Sequence, residues 1–86
     1  MEAGMKQLAR SPKQIGSVLR RHRETKKMTQ GELAGLAGVR QATVSEVETG
    51  QEGTKLATLL NILAALDLEI MISVRTRDNQ DIEDIF

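Results

Sequence analysis

The residues from Thr29 to Gly50 admit very few conformations. Thr29-Gln30-Gly31-Glu32 reads as a reciprocal helix start, in which Thr29 accepts from the amide of Glu32 and Glu32 reaches back to Thr29. Leu33, Leu36 and Ala37 then share one helical face, and Gly38 ends the helix after about two turns in a left-handed conformation. Val39 is expected to be buried in the bend. A second short helix is predicted over Gln41–Glu48, with Val44 and Val47 facing inward and Gly50 ending it. Arg40 is a poor N-cap, so the start of this helix is held by tertiary contacts or lies a residue earlier. Ala34 is small where the two helices would cross. Helices this short are not stable alone, so both must pack on further elements.

Those elements lie on either side. Ser11-Pro12-Lys13-Gln14 is a helix start: Ser11 caps, Pro12 suits the first position and Gln14 completes a capping box. Ile15, Val18, Leu19 and His22 recur on one face of this first helix, where His22 reads as a packed or half-exposed side chain. After the polar loop 51–53, Thr54 is expected to cap a last helix whose core face is Leu56, Leu59, Leu60, Leu63 and Leu66, widened by Ile62. From Leu68 to Arg75 the period falls to two. Leu68, Ile70, Ile72 and Val74 alternate with Glu69, Met71, Ser73 and Arg75, which is the signature of a half-buried strand. The expected organisation is an N-terminal arm over 1–10, a helical domain over 11–67, a strand over 68–75 and a mobile acidic tail over 76–86. The fold class is all-α: a bundle of four to five helices followed by one C-terminal strand.

Composition removes several kinds of chemistry. The 86-residue chain has no Cys and one His, which excludes disulfides, thiolate zinc, a cysteine nucleophile and a multi-histidine metal site. Its only aromatic residue is Phe86, so base-stacking platforms are not expected. No Gly-rich phosphate loop or paired acids in a plausible pocket suggest an enzyme, and neither a cofactor nor a metal is expected. No apolar run is long enough to span a bilayer, and the expectation is a cytoplasmic protein without membrane contact. The net charge of +0 hides an asymmetry. Residues 1–45 carry nine Lys and Arg against three acids, and residues 46–86 carry three against nine. A basic half of this kind suits a polyanion.

Two short helices joined by a tight glycine-containing turn form a helix-turn-helix unit. With Val39, Val44 and Val47 beneath, Arg40, Gln41, Ala42, Thr43, Ser45 and Glu46 are left on outer faces, mostly short or polar. Such a face can enter a major groove and meet base edges. The run matching TQxELAxxAGVxQxxVSxxExG resembles the Xre/Cro/cI type of helix-turn-helix DNA-binding domain, over about residues 12–67. Within that family, the chain length, the run Arg40 to Glu48 and the strand after the last helix are similar to HipB antitoxins, dimeric repressors that bind a HipA-type kinase toxin. The resemblance implies a role for each matching residue. Gln30 donates to a DNA phosphate. Gln41 hydrogen-bonds a base edge, with adenine as the bidentate candidate, and Ala42 touches a thymine methyl. Arg40 reaches guanine or a phosphate, and Thr43 and Ser45 contact phosphate or base. Glu46 either faces a cytosine amine or points outward. Arg23 and Glu48 match a pair that ties the first helix to the recognition helix.

A lone strand with one apolar face must find a partner. A second copy pairing antiparallel through Leu68, Ile70, Ile72 and Val74 would give a homodimer with two recognition helices on one face of a palindromic operator. Strand addition to a toxin or a neighbouring domain is the alternative. The expected function is a sequence-specific repressor acting as the antitoxin of a HipBA-like pair, with double-stranded DNA and a HipA-like kinase toxin as partners. A stand-alone or phage-type regulator without a toxin is the alternative. In the tail, Ile82, Ile85 and Phe86 either stay solvated with the surrounding acids or dock in a toxin pocket.

Overall fold

The computed structural model describes residues 6–75. Four helices follow one another: α1 (Pro12–Thr25), α2 (Gln30–Ala37), α3 (Gln41–Glu48) and α4 (Leu56–Ala65). Both anticipated N-termini form. The Ser11 hydroxyl accepts from the Gln14 amide at 3.1 Å. Gln14 reaches back to the Arg10 amide, one residue earlier than a standard capping box. At α2 both halves of the box are present, Glu32 N–H to Thr29 Oγ1 at 3.0 Å and Thr29 N–H to Glu32 Oε1 at 2.8 Å. Arg40 precedes α3 with no side-chain cap bond, as its chemistry requires.

The helix ends share a device that the sequence shows only in half its instances. Each helix closes through a residue at positive φ: Lys27 at 59°, Gly38 at 73°, Gly50 at 84° and Asp67 at 60°. The amide after each returns to a carbonyl five residues back: Met28 to Arg23, Val39 to Ala34, Gln51 to Glu46 and Leu68 to Leu63, at 2.8–3.1 Å. These are Schellman closures, which satisfy carbonyls left open at a helix C-terminus. Met28, Val39 and Leu68 also pack against the core, so three of the closures carry the usual apolar contact.

The core gathers Leu19 from α1, Leu33, Ala34 and Ala37 from α2, Val44 and Val47 from α3, and Ile62, Leu63 and Leu66 from α4 and its cap. Helix α2 packs on α3 and α4, while α1 packs on α3. The approach of α1 to α3 is close because glycine lines it. A Cβ on buried Gly16 would lie 2.7 Å from the Glu48 carbonyl oxygen, and one on Gly50 would lie 2.7 Å from Lys13 Cα. Backbone therefore rests on backbone at two points of this crossing.

Helix α4 departs from expectation in two respects. Lys55, not Thr54, is the N-cap, and no side chain caps the helix. Its buried side is Ile62, Leu63 and Leu66 with half-buried Leu59, whereas Leu56 is 64 % and Leu60 43 % exposed. An all-round apolar helix has no single stripe to read, and packing against α2 selects one side of it. Residues 68–75 form no strand, and none occurs among the described residues. A strand is defined by its ladder, and a single chain with one such segment offers no second. Leu68 rests on the core, but Ile70, Ile72 and Val74 are exposed, Ile72 almost wholly. The tail with Ile82, Ile85 and Phe86 lies outside the described residues, as do residues 1–5; residues 6–10 carry no regular structure.

Candidate nucleic-acid interface

Helix α3 buries three residues, Val44, Val47 and Glu48, and these set its rotation. With that side fixed, Arg40, Gln41, Ala42 and Glu46 are exposed, and Thr43 and Ser45 flank them half-buried. The outward surface is thus a cation, an amide, a methyl and a carboxylate, on a helix too short to bend. Thr49 completes it locally, its hydroxyl donating to the Ser45 and Glu46 carbonyls at 3.1 and 3.0 Å.

Beneath this surface lies a polar knot. The Arg23 guanidinium meets Glu48 as a fork, Nε to Oε2 at 2.6 Å and Nη2 to Oε1 at 3.1 Å. Its third nitrogen donates to the Met28 carbonyl at 2.7 Å, in the link between α1 and α2. The Glu48 side chain is 3 % exposed and that of Arg23 12 %. Charges this buried are tolerable only when paired and hydrogen-bonded, and here both conditions hold. The hydrogen bond to Glu48 pushes the Arg23 pKa above its ordinary value, against the opposing effect of burial. A base raised in the folded state contributes its stability below its ordinary pKa and loses it only above. The arginine is therefore charged throughout the neutral range.

Gln30 joins the same knot, donating from Nε2 to Glu48 Oε1 at 3.0 Å. The structure thus brings Arg23, Gln30 and Glu48 together, three residues drawn from α1, α2 and α3. Gln41 also comes close to the start of α2: its Oε1 lies 3.5 Å from the point where a Cβ on Gly31 would stand. Sequence reasoning missed the Gln30–Glu48 bond and the close approaches at Gly16 and Gly50. The signal available for Gly16 was a glycine inside a helix where alanine would be the better former; Gly50 carried only the signal of a helix end.

No group of three acidic or His side chains suited to a metal occurs among the described residues. No helix among them is long and apolar enough to cross a membrane.

Comparison with known proteins agrees with this geometry. The helix-turn-helix domain family matches residues 14–70. Antitoxin HipB of Escherichia coli O6:H1 (strain CFT073) is 33 % identical over 79 residues, covering 85 % of this chain and 84 % of that protein. A chain in the structure of a HipA-HipB-O2-O3 complex superposes with a TM-score of 0.76 at 32 % identity, covering 83 % of this chain and all of the other. The restriction-modification controller protein C.AhdI from Aeromonas hydrophila superposes with a TM-score of 0.63 at 36 % identity, covering 67 % of this chain and 88 % of its own. With the family match, the identity and the shared fold in agreement, the chain belongs to the Xre-type helix-turn-helix family and is a HipB-like member of it.

Proposed function

We propose that this chain is a sequence-specific DNA-binding repressor that acts as the antitoxin of a HipBA-like pair. The observation that carries the reading is the outward surface of α3: Arg40, Gln41 and Ala42 stand exposed on a helix whose rotation is locked from below. Gln41 reads a base edge, Ala42 meets a thymine methyl, and Arg40 takes guanine or a phosphate. Thr43 and Ser45 flank them toward the backbone, and Gln30 donates to a phosphate beside the start of α2. The basic first half of the chain supplies the attraction that positions these contacts.

The protein works as a homodimer on a palindromic operator. The exposed alternation Ile70, Ile72, Val74 supports this, since the segment gains its ladder and covers its apolar face by pairing with a second copy. The likeness to a HipB solved together with HipA supports a HipA-like kinase toxin as the further partner, with Ile82, Ile85 and Phe86 contributing to that contact. The likeness to the C.AhdI controller favours a second reading, a regulator with no toxin.

Selection of duplexes from a randomised pool tests the first part. A palindromic consensus with half-sites about 10 bp apart, or a multiple, is expected. Enrichment of no sequence sinks the reading. Co-purification of a kinase-like protein from the native host, against its absence, separates the antitoxin from the stand-alone regulator.

A further inference from the structure

Glu48 has two oxygens and three donors upon them. Oε2 takes Arg23 Nε, and Oε1 takes both Arg23 Nη2 and Gln30 Nε2. The pairing with arginine explains why the carboxylate can be buried. It does not explain the third donor, because each Glu48 oxygen already has an Arg23 nitrogen. Gln30 is the first residue of α2, half-buried at the helix end nearest to Gln41.

We propose that Glu48 is a positioning residue for DNA binding: it sets which way round the Gln30 amide sits, and so presents a fixed N–H to a backbone phosphate. The inference rests on the DNA-binding reading above and deepens it. An amide side chain has two orientations of nearly equal shape, one offering oxygen and the other nitrogen. An ionised carboxylate only accepts, so the face of Gln30 turned to Glu48 must be nitrogen. That nitrogen carries a second N–H, coplanar with the amide by conjugation, and the bond to Glu48 fixes the direction in which it points. A phosphate also only accepts. One group on the protein therefore selects the orientation that the nucleic acid needs, before the nucleic acid arrives. The rotamer freedom that Gln30 would otherwise lose on binding is already lost in the free protein. The carboxylate is also paired with Arg23, which donates in turn to the Met28 carbonyl.

Glu48→Gln tests this, because it conserves shape and removes the acceptor-only character. A glutamine at 48 can donate or accept, so Gln30 becomes free to flip. Arg23→Lys is the control, since it weakens the fork while leaving the carboxylate beside Gln30. The probe is the duplex selected by the wild-type chain, with affinities measured well below each protein's melting temperature. In the wild type and in Arg23→Lys, Gln30→Ala should weaken binding about three- to tenfold, the size of one hydrogen bond. In Glu48→Gln the same Gln30→Ala change should do almost nothing further. Equal losses in all three backgrounds, or loss of the Gln30 effect in Arg23→Lys as well, would make Glu48 a purely structural residue and overturn the proposal.

The free wild-type protein supplies a second measurement that does not depend on any variant folding. Side-chain ¹⁵N relaxation should show the Gln30 amide ordered, close to the backbone, and clearly more so than exposed Gln51. An amide of Gln30 as mobile as that of Gln51 overturns the proposal even if the protein binds DNA. If the wild type shifts no duplex at all, the functional reading falls and the proposal with it, whatever the relaxation shows.

Discussion

Gly16 is the residue on which the packing of α1 against α3 most directly depends. The atoms that a Cβ would meet are the Val47 and Glu48 carbonyl groups, which belong to a helix end and cannot swing aside. Gly16→Ala should therefore lower stability by about 1–3 kcal/mol in urea unfolding, although alanine is the better helix former. A neutral or stabilising result would show that α1 and α3 stand further apart. Gln41 makes the contrary case, since its exposure means that it contributes little to folding. Gln41→Ala should leave the melting temperature within a degree or two. It should cost about 1–3 kcal/mol of operator affinity and relax preference at one position of each half-site. An unchanged preference in a repeated selection would remove Gln41 from the reading head. The exposure of Gln41 was legible in the sequence because the inward valines leave it on the outer side, and the close approach at Gly16 was not, because its neighbours are 31 and 32 residues away.

Among the elements, the helix ends separate local from non-local causes. Gly38 and Gly50 could be read as C-caps because glycine tolerates positive φ. Lys27 and Asp67 adopt the same conformation with a Cβ present, and nothing in their local chemistry announces it. What holds them is the residue after each, Met28 and Leu68, drawn onto the core. Lys26, beside Lys27, approaches Asp67, Nζ to Oδ2 at 3.6 Å, in a largely exposed pair of little energetic weight. Lys27→Gly should relieve the left-handed strain and raise stability by about 0.5–1 kcal/mol, read as a shift of the urea midpoint. A loss of stability would mean that the lysine side chain contributes more than its backbone costs. Helix α4 shows the converse limit. Its leucines announced a core helix, and it is one, but hydropathy alone does not say which of two apolar sides faces α2. Leu56 and Leu60, expected inside, remain outside, as does Leu36 of α2 at 65 %.

On the scale of the whole molecule, two predictions concern the proposed dimer and its contact with DNA. Replacing Ile70 and Ile72 together by Asp should convert the proposed dimer to a monomer in sedimentation and weaken operator binding, because each half-site is then bound alone. Both residues are exposed in the single chain, so the domain itself should still fold. A double variant that stays dimeric places the contact elsewhere. Binding should also be electrostatic in bulk. If the dimer neutralises about 6–8 phosphates, log affinity should fall with log salt by about 0.9 per phosphate. An affinity that does not respond to salt would leave the charge asymmetry of the chain without a functional role.

Local chemistry is what the sequence by itself determined. The Thr29–Glu32 box, the Ser11 cap, the turn at Gly38 and the inward Val44 and Val47 each follow from residues within one or two turns, so the helices and the exposed side of α3 could be written down in advance. Only the tertiary structure decided what depends on distant residues meeting. It chose the buried side of α4, closed α1 and α4 through Lys27 and Asp67, and pressed Gly16 against α3. It also placed Gln30, Arg23 and Glu48 in one hydrogen-bonded knot, although Gln30 and Glu48 lie 18 residues apart and Arg23 and Glu48 lie 25 apart. The physical reason is the range of the forces concerned. Capping and helical periodicity act over a few residues, whereas burial and ion pairing act between whatever surfaces the packing brings together.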